Sequence, residues 1–169
     1  FKFLTPIDFK KFTNLEIFLS FNSFFSIRIF IISYHEAKDI ILDSFSSFHP
    51  EISNLAELFF KNNWIDASLR KGKASGAFAH PSVPSLHPYI LVNYQGKIRD
   101  VMTLAHELGH GVHQILAGKN GLLMAETPLT LAETASVFGE MLVFRNLLDK
   151  SPIEQKKQLL SGKIEDMLN

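Results

Sequence analysis

A mainly α-helical chain with a small β-sheet edge is predicted by three features of the 169 residues. Apolar residues recur at three- and four-residue intervals through 101–116 and again through 131–147, the period of amphipathic helices. Stop and start residues punctuate the two stretches: Gly118 and Gly121 follow the first, and Thr127-Pro128 precedes the second as an N-cap with proline in the first turn. One short run, Tyr89 to Tyr94, is aromatic and β-branched, with Pro88 before it and Gly96 after it, which suits a strand.

In chain order, Phe1 to Ile32 is crowded with phenylalanine, isoleucine and serine, and it is expected to be a segment distinct from a domain over 33–169. Asn14, Glu16, Asn22 and Arg28 interrupt it before a membrane-spanning length accumulates, and the ordered parts of a secretion signal do not occur in it. Because the chain opens on Phe1 instead of methionine, the expectation is a truncated or frame-disrupted copy of a longer protein. Tyr34 to Phe48 and Glu51 to Asn62 have helical patterns separated by His49-Pro50, with Ile40, Ile41, Leu55, Leu58 and Phe59 as core and Trp64 packed nearby. Phe78 is placed at the start of a partner for the 89–94 strand. Val101, Leu104, Ala105, Leu108, Val112, Ile115 and Leu116 form the stripe of the first long helix, and Leu131, Ala135, Phe138, Leu142 and Leu147 that of the second. Ser151-Pro152-Ile153-Glu154 opens a last helix toward Leu168 by proline placement and a capping box.

Seventeen basic and seventeen acidic residues cancel, so there is no electrostatic case for nucleic acid or an anionic membrane as partner. With no cysteine, disulfides and thiolate metal ligands are excluded, leaving imidazole and carboxylate as donors. A soluble, cytoplasmic chain with one core is the expectation.

The chemistry lies in His106-Glu107-Leu108-Gly109-His110, an H-E-x-x-H pentad inside the first long helix. Positions four apart stand one turn above each other, so His106 and His110 can aim ring nitrogens at one zinc ion. Glu107 lies about 100° around the helix, at the edge of that face, where it can reach a water in the metal's open position. Three fixed letters arise by accident in such a chain on the order of one time in fifty, so context must carry the rest. Gly109 and Gly111 should each cost roughly 1 kcal/mol relative to alanine, and a close approach by another backbone would account for them.

A catalytic zinc usually has three protein donors. In the longer H-E-x-x-H-x-x-G-x-x-H pattern the glycine and third histidine positions are here His113 and Leu116, so that route fails, and His113 is taken as a flanking polar residue. Glu133 and Glu140 are two turns apart on one face of the second long helix, among the small residues Ala132, Ser136 and Gly139. If the helices cross there, Glu133 can complete a two-histidine, one-glutamate site and Glu140 can hydrogen-bond a ligating histidine. Two alternatives stand beside this. Thr130-Leu131-Ala132-Glu133 is also a capping box, and Glu126, in the preceding loop, is a competing carboxylate.

The stretch Thr103 to His110, followed after its gap by Glu126-Thr127-Pro128-Leu129-Thr130-Leu131-Ala132-Glu133-Thr134-Ala135-Ser136-Val137-Phe138-Gly139-Glu140, resembles the catalytic region of the oligoendopeptidase F and thimet oligopeptidase family. The likeness extends through Gly72-Lys73-Ala74-Ser75-Gly76-Ala77-Phe78 and His87-Pro88-Tyr89-Ile90-Leu91-Val92-Asn93-Tyr94, and covers the chain from about Tyr34 onward. It implies a zincin-like helical metallopeptidase catalytic core, present in part over 33–169, with one zinc ion on His106, His110 and Glu133 and with Glu107 as general base. The implied activity is hydrolysis of peptide bonds in oligopeptides. The 78–94 strand edge would bind an extended peptide through backbone hydrogen bonds, the alternative being a purely structural hairpin, while His80 and His87 belong to the loop and His87 could meet substrate. In that family further oxyanion donors, a tyrosine and a histidine, come from well downstream of the glutamate ligand. The competing expectation is therefore a catalytically silent fragment that retains a zinc site or only a peptide-binding surface.

Overall fold

The computed structural model describes residues 31–168, so all but Ile31 and Ile32 of the Phe/Ile/Ser-rich segment lies outside the described residues. Helix α1 (Tyr34–Phe48) starts from a reciprocal cap: the Ser33 hydroxyl accepts from the Glu36 amide at 3.2 Å, and the Glu36 carboxylate accepts from the Ser33 amide at 2.8 Å. Ile32 just before it is buried, and its carbonyl accepts from the Tyr94 hydroxyl at 2.8 Å. Helix α2 (Pro50–Lys61) follows at once, with Pro50 in its first turn and the His49 ring accepting from the Glu51 amide. Ile41 and Phe59 are fully buried core residues of this pair, and Trp64 packs edge-on against Phe59.

Three short strands come next: β1 (Ile65–Asp66), β2 (Phe78–His80) and β3 (Tyr89–Leu91). β3 is central. β1 joins it in parallel, Ile65 opposite Ile90, and β2 joins it antiparallel, Phe78 opposite Leu91 and His80 opposite Tyr89. The Phe78 strand thus forms as expected, whereas β1 carried no period of its own and was not anticipated. The 89–94 run is strand only to Leu91; beyond it the amides of Val92 and Tyr94 donate to Asp66 and Ala67, which keeps the chain extended without a regular ladder. Such short strands need other ties. The Lys73 ammonium, 2% exposed, donates to the carbonyls of Asp66, Ser68 and Val92, and the Asn93 amide donates to those of Ala74 and Gly76.

Helix α3 (Ile98–Gly118) is opened by the Asp100 carboxylate, which accepts from the amides of Gln95 and Lys97, and it ends at the expected glycine. One turn, α4 (Leu122–Ala125), leads to α5 (Leu129–Lys150), and α6 (Ile153–Leu168) closes the described chain. Helix α3 packs on α5, on α2 and on the sheet. The core runs through Val101, Leu104, Leu108, Phe45, Val143, Ile90 and Val92.

One expectation about α5 needs correction. Its apolar stripe was placed through Leu131 and Phe138, yet these are 57% and 44% exposed, while Ser136, Gly139 and Val143 are buried. The reason is steric: α5 lies so close to α3 that only small residues fit between them. Among the described residues no helix is long and apolar enough to cross a membrane.

Candidate metal centre

The crossing of α3 and α5 is set by glycine. A Cβ on Gly109 would stand 2.8 Å from the Ala135 carbonyl oxygen and 2.8 Å from the Ser136 Cα, and one on Gly139 would stand 3.1 Å from the Ala105 carbonyl oxygen. Gly109 therefore does meet another backbone. Gly111 instead faces the Phe59 ring, so its reason is a core side chain.

This contact brings three side chains together. Nε2 of His106 lies 3.3 Å from one carboxylate oxygen of Glu133, and Nε2 of His110 lies 3.6 Å from the other. The His106 and His110 rings are 5.0 Å apart at 82°. Donor atoms of all three lie within 4.8 Å of one another, the one such group among the described residues. Tetrahedral zinc with bonds of about 2.0–2.1 Å sets its donors roughly 3.3 Å apart. The two His–Glu separations, each to a different oxygen of Glu133, lie near that figure.

Glu133 does not cap its helix. Pro128 occupies the N-cap, one residue later than the Thr127 assignment, and no side chain caps the start. The fully buried Ser136 hydroxyl shares its one proton between the Glu133 carbonyl at 3.0 Å and a Glu133 carboxylate oxygen at 3.1 Å. Glu140 meets the other side of the first ring: its Oε2 lies 3.3 Å from Nδ1 of His106, while its Oε1 accepts from the Lys163 ammonium of α6.

Glu107 is 6% exposed, and its Oε2 is buried without a hydrogen-bond partner. Burial is the main reason its carboxyl is pushed up to about 7; His106 opposes the shift and Glu133 adds to it. Such a group is suited to exchange protons near neutrality. The hydrogen bond with Glu140 leads in raising His106, burial leads in lowering His110, and the His106 bond leads in holding Glu140 below the ordinary carboxylate range. Two imidazoles and a carboxylate form a donor set that could hold a metal ion, and the buried Glu107 carboxylate lies close enough to His106 and Glu133 to be shifted by both.

The other candidates stand outside this group. His113 is half-buried on α3, and Glu126 is exposed before α5. Nδ1 of His80 accepts from the Ser82 amide in the turn after β2, and His87 stacks on Trp64 at 3.9 Å. Sequence reasoning missed two residues that touch the site's carboxylates. Ser136 was noted only as small, although its place three residues after Glu133 was a usable signal; Lys163, on a separate helix, had none.

Comparison with known proteins places the chain in a family. The model of peptidase family M3 matches residues 5–169, a span that takes in most of the Phe/Ile/Ser-rich stretch. Oligopeptidase PepF of Bacillus subtilis is 32% identical over 130 residues, covering 76% of this chain and 19% of the relative. An oligoendopeptidase F homolog of Borreliella burgdorferi is 34% identical over 145 residues, covering 83% of this chain and 24% of the relative. A crystal structure from Chlamydophila abortus superposes with a TM-score of 0.73 at 31% identity, over 81% of this chain and 23% of that one. PZ peptidase A, solved with an inhibitor, shares the fold with a TM-score of 0.61 at 20% identity, over 68% of this chain and 21% of that one. The chain spans about a fifth of the length of the curated relatives it matches.

Proposed function

The chain belongs to peptidase family M3, and from that premise we propose that His106, His110 and Glu133 hold one zinc ion at which oligopeptides are hydrolysed, with Glu107 as general base. The observation that carries the proposal is the pairing of two His–Glu separations of 3.3 and 3.6 Å with a buried, unpartnered Glu107 oxygen beside them. Zinc bound there supplies a Lewis acid for the scissile carbonyl and a water acidified to about pKa 7.

The chain's own residues do the remainder. Glu107 takes a proton from the attacking water and later delivers it to the leaving amine, a double duty that suits a carboxyl raised to about 7. Glu140 holds Nδ1 of His106, leaving Nε2 for the metal. The substrate is taken to be an extended peptide that adds to the outer side of β2, since β2 pairs with β3 on one side only among the described residues. Recognition through main-chain hydrogen bonds would favour loose side-chain selectivity. A cytoplasmic setting belongs to the same proposal and rests on composition alone.

Zinc analysis of the purified chain, together with cleavage of a quenched fluorescent peptide, tests this. The expected result is one zinc per chain and turnover that falls about 10²- to 10⁴-fold in Glu107→Gln with zinc retained. A chain that takes up no stoichiometric zinc overturns the site. Zinc without Glu107-dependent turnover supports the second reading, in which this span carries the metal and hydrolysis needs a longer protein; the one-fifth coverage of relatives is what favours that reading.

A further inference from the structure

We propose that Lys163 is a positioning residue for the metal site, acting from α6 by pinning the Glu140 carboxylate against His106; the inference rests on the zinc reading above. The two oxygens of Glu140 are divided between two partners. Oε2 faces Nδ1 of His106 at 3.3 Å, and Oε1 accepts from Nζ of Lys163. A carboxylate held at one oxygen can still turn about its last bond, whereas one held at both is fixed in plane and in rotation.

The surroundings make the ammonium the part that does the holding. Lys163 and Glu140 are both largely buried, at 18% and 16% side-chain exposure, and a lysine so placed is rare unless paired. Beside them is a cavity of about 150 Å³, bounded by Met102, Phe144 and Gly162, which gives the Glu140 side chain room to swing away from the ring. Arg99 on α3, which also borders that cavity, is engaged with Asp166 at 3.4 Å, and Leu159 of α6 is buried. An immobile carboxylate at Nδ1 fixes the plane of the His106 ring, with Nε2 directed at Glu133.

Zinc affinity of the whole chain, measured by competition with a chromophoric chelator, tests the inference in wild type, Lys163→Met, Lys163→Gln, Lys163→Arg, Glu140→Gln and the Lys163→Met/Glu140→Gln double variant. Loss of the lysine is expected to weaken zinc binding about 10-fold, Lys163→Arg to restore most of it, and Lys163→Met to add nothing once Glu140 is Gln. Imidazole ¹⁵N shifts of zinc-free protein supply a readout that a merely structural role would leave alone. The His106 Nδ1 shift should differ between wild type and Lys163→Met, and should not differ between Glu140→Gln and the double variant. Wild-type affinity in Lys163→Met or Lys163→Gln overturns the proposal, and so does an equal loss from Lys163→Met in the Glu140→Gln background. Failure of wild type to bind zinc instead overturns the underlying metal reading.

Discussion

At the crossing of α3 and α5, backbone lies on backbone, with the Gly109 position 2.8 Å from Ala135 and Ser136 main-chain atoms for any added carbon. On the strand side, residues 65–94, the elements are two or three residues long, and side chains such as Lys73 and Asn93 tie them together through main-chain carbonyls. The first region gets its geometry from what is missing from the sequence, namely side-chain bulk. The second gets it from single polar groups buried at the right place. Damage should therefore spread differently: a small intrusion at the crossing disturbs stability and donor geometry together, whereas loss of a strand-side tie should cost stability and leave the donors in place.

The largest effect expected is at the donors themselves. Glu133→Ala or His110→Ala should reduce zinc affinity by more than the roughly 10- to 100-fold seen when only a supporting partner is lost, with the helical circular dichroism of the zinc-free chain retained. An affinity close to wild type in either variant would remove the crossing's chemical role. Next comes Gly109→Ala. The methyl must push two backbones apart, so urea denaturation should show a loss of about 1–3 kcal/mol despite alanine's better helix propensity, and chelator competition should show weaker zinc binding as well. If stability falls but affinity does not, the close approach is a packing feature only.

Lys73→Met probes the other region. Three carbonyls and the Asp66 carboxylate lose a donor, which should cost about 1–3 kcal/mol in the same denaturation experiment while zinc affinity stays at the wild-type value. A matching loss of zinc affinity would show that the regions are not separate. The smallest effect concerns acid. Hydrogen bonding to Arg70 is the main reason the Asp66 carboxyl is held down to about 2 from its ordinary 3.8. A carboxyl depressed in the folded state stabilises fully above its unfolded value, and that contribution is lost as pH falls through the folded value. The strand side should thus loosen between about pH 4 and 2, visible in the fluorescence of Trp64, the single tryptophan, and the transition should be absent in Asp66→Asn.

The two regions also differ in how far the sequence discloses them. The pentad and the stop at Gly118 depend on local spacing, and local spacing is what a sequence displays. Glu133 was recognisable because small residues surround it, although the same small residues defeated the apolar stripe drawn through Leu131 and Phe138. β1 was invisible because two residues, Ile65 and Asp66, carry no period. Lys73 looked like any surface lysine, and Lys163 lies 23 positions beyond the carboxylate it holds. Contacts of that kind are made by the folded topology and leave no repeat to find.

With no side chain between α3 and α5 at Gly109, the separation of the two helices is gauged by the thickness of two peptide chains and not by rotamers. Rotamers yield to an oversized guest at modest cost; peptide planes in contact do not. The crossing works as a calliper locked at one setting, and His106, His110 and Glu133 start from a frame whose width they do not set.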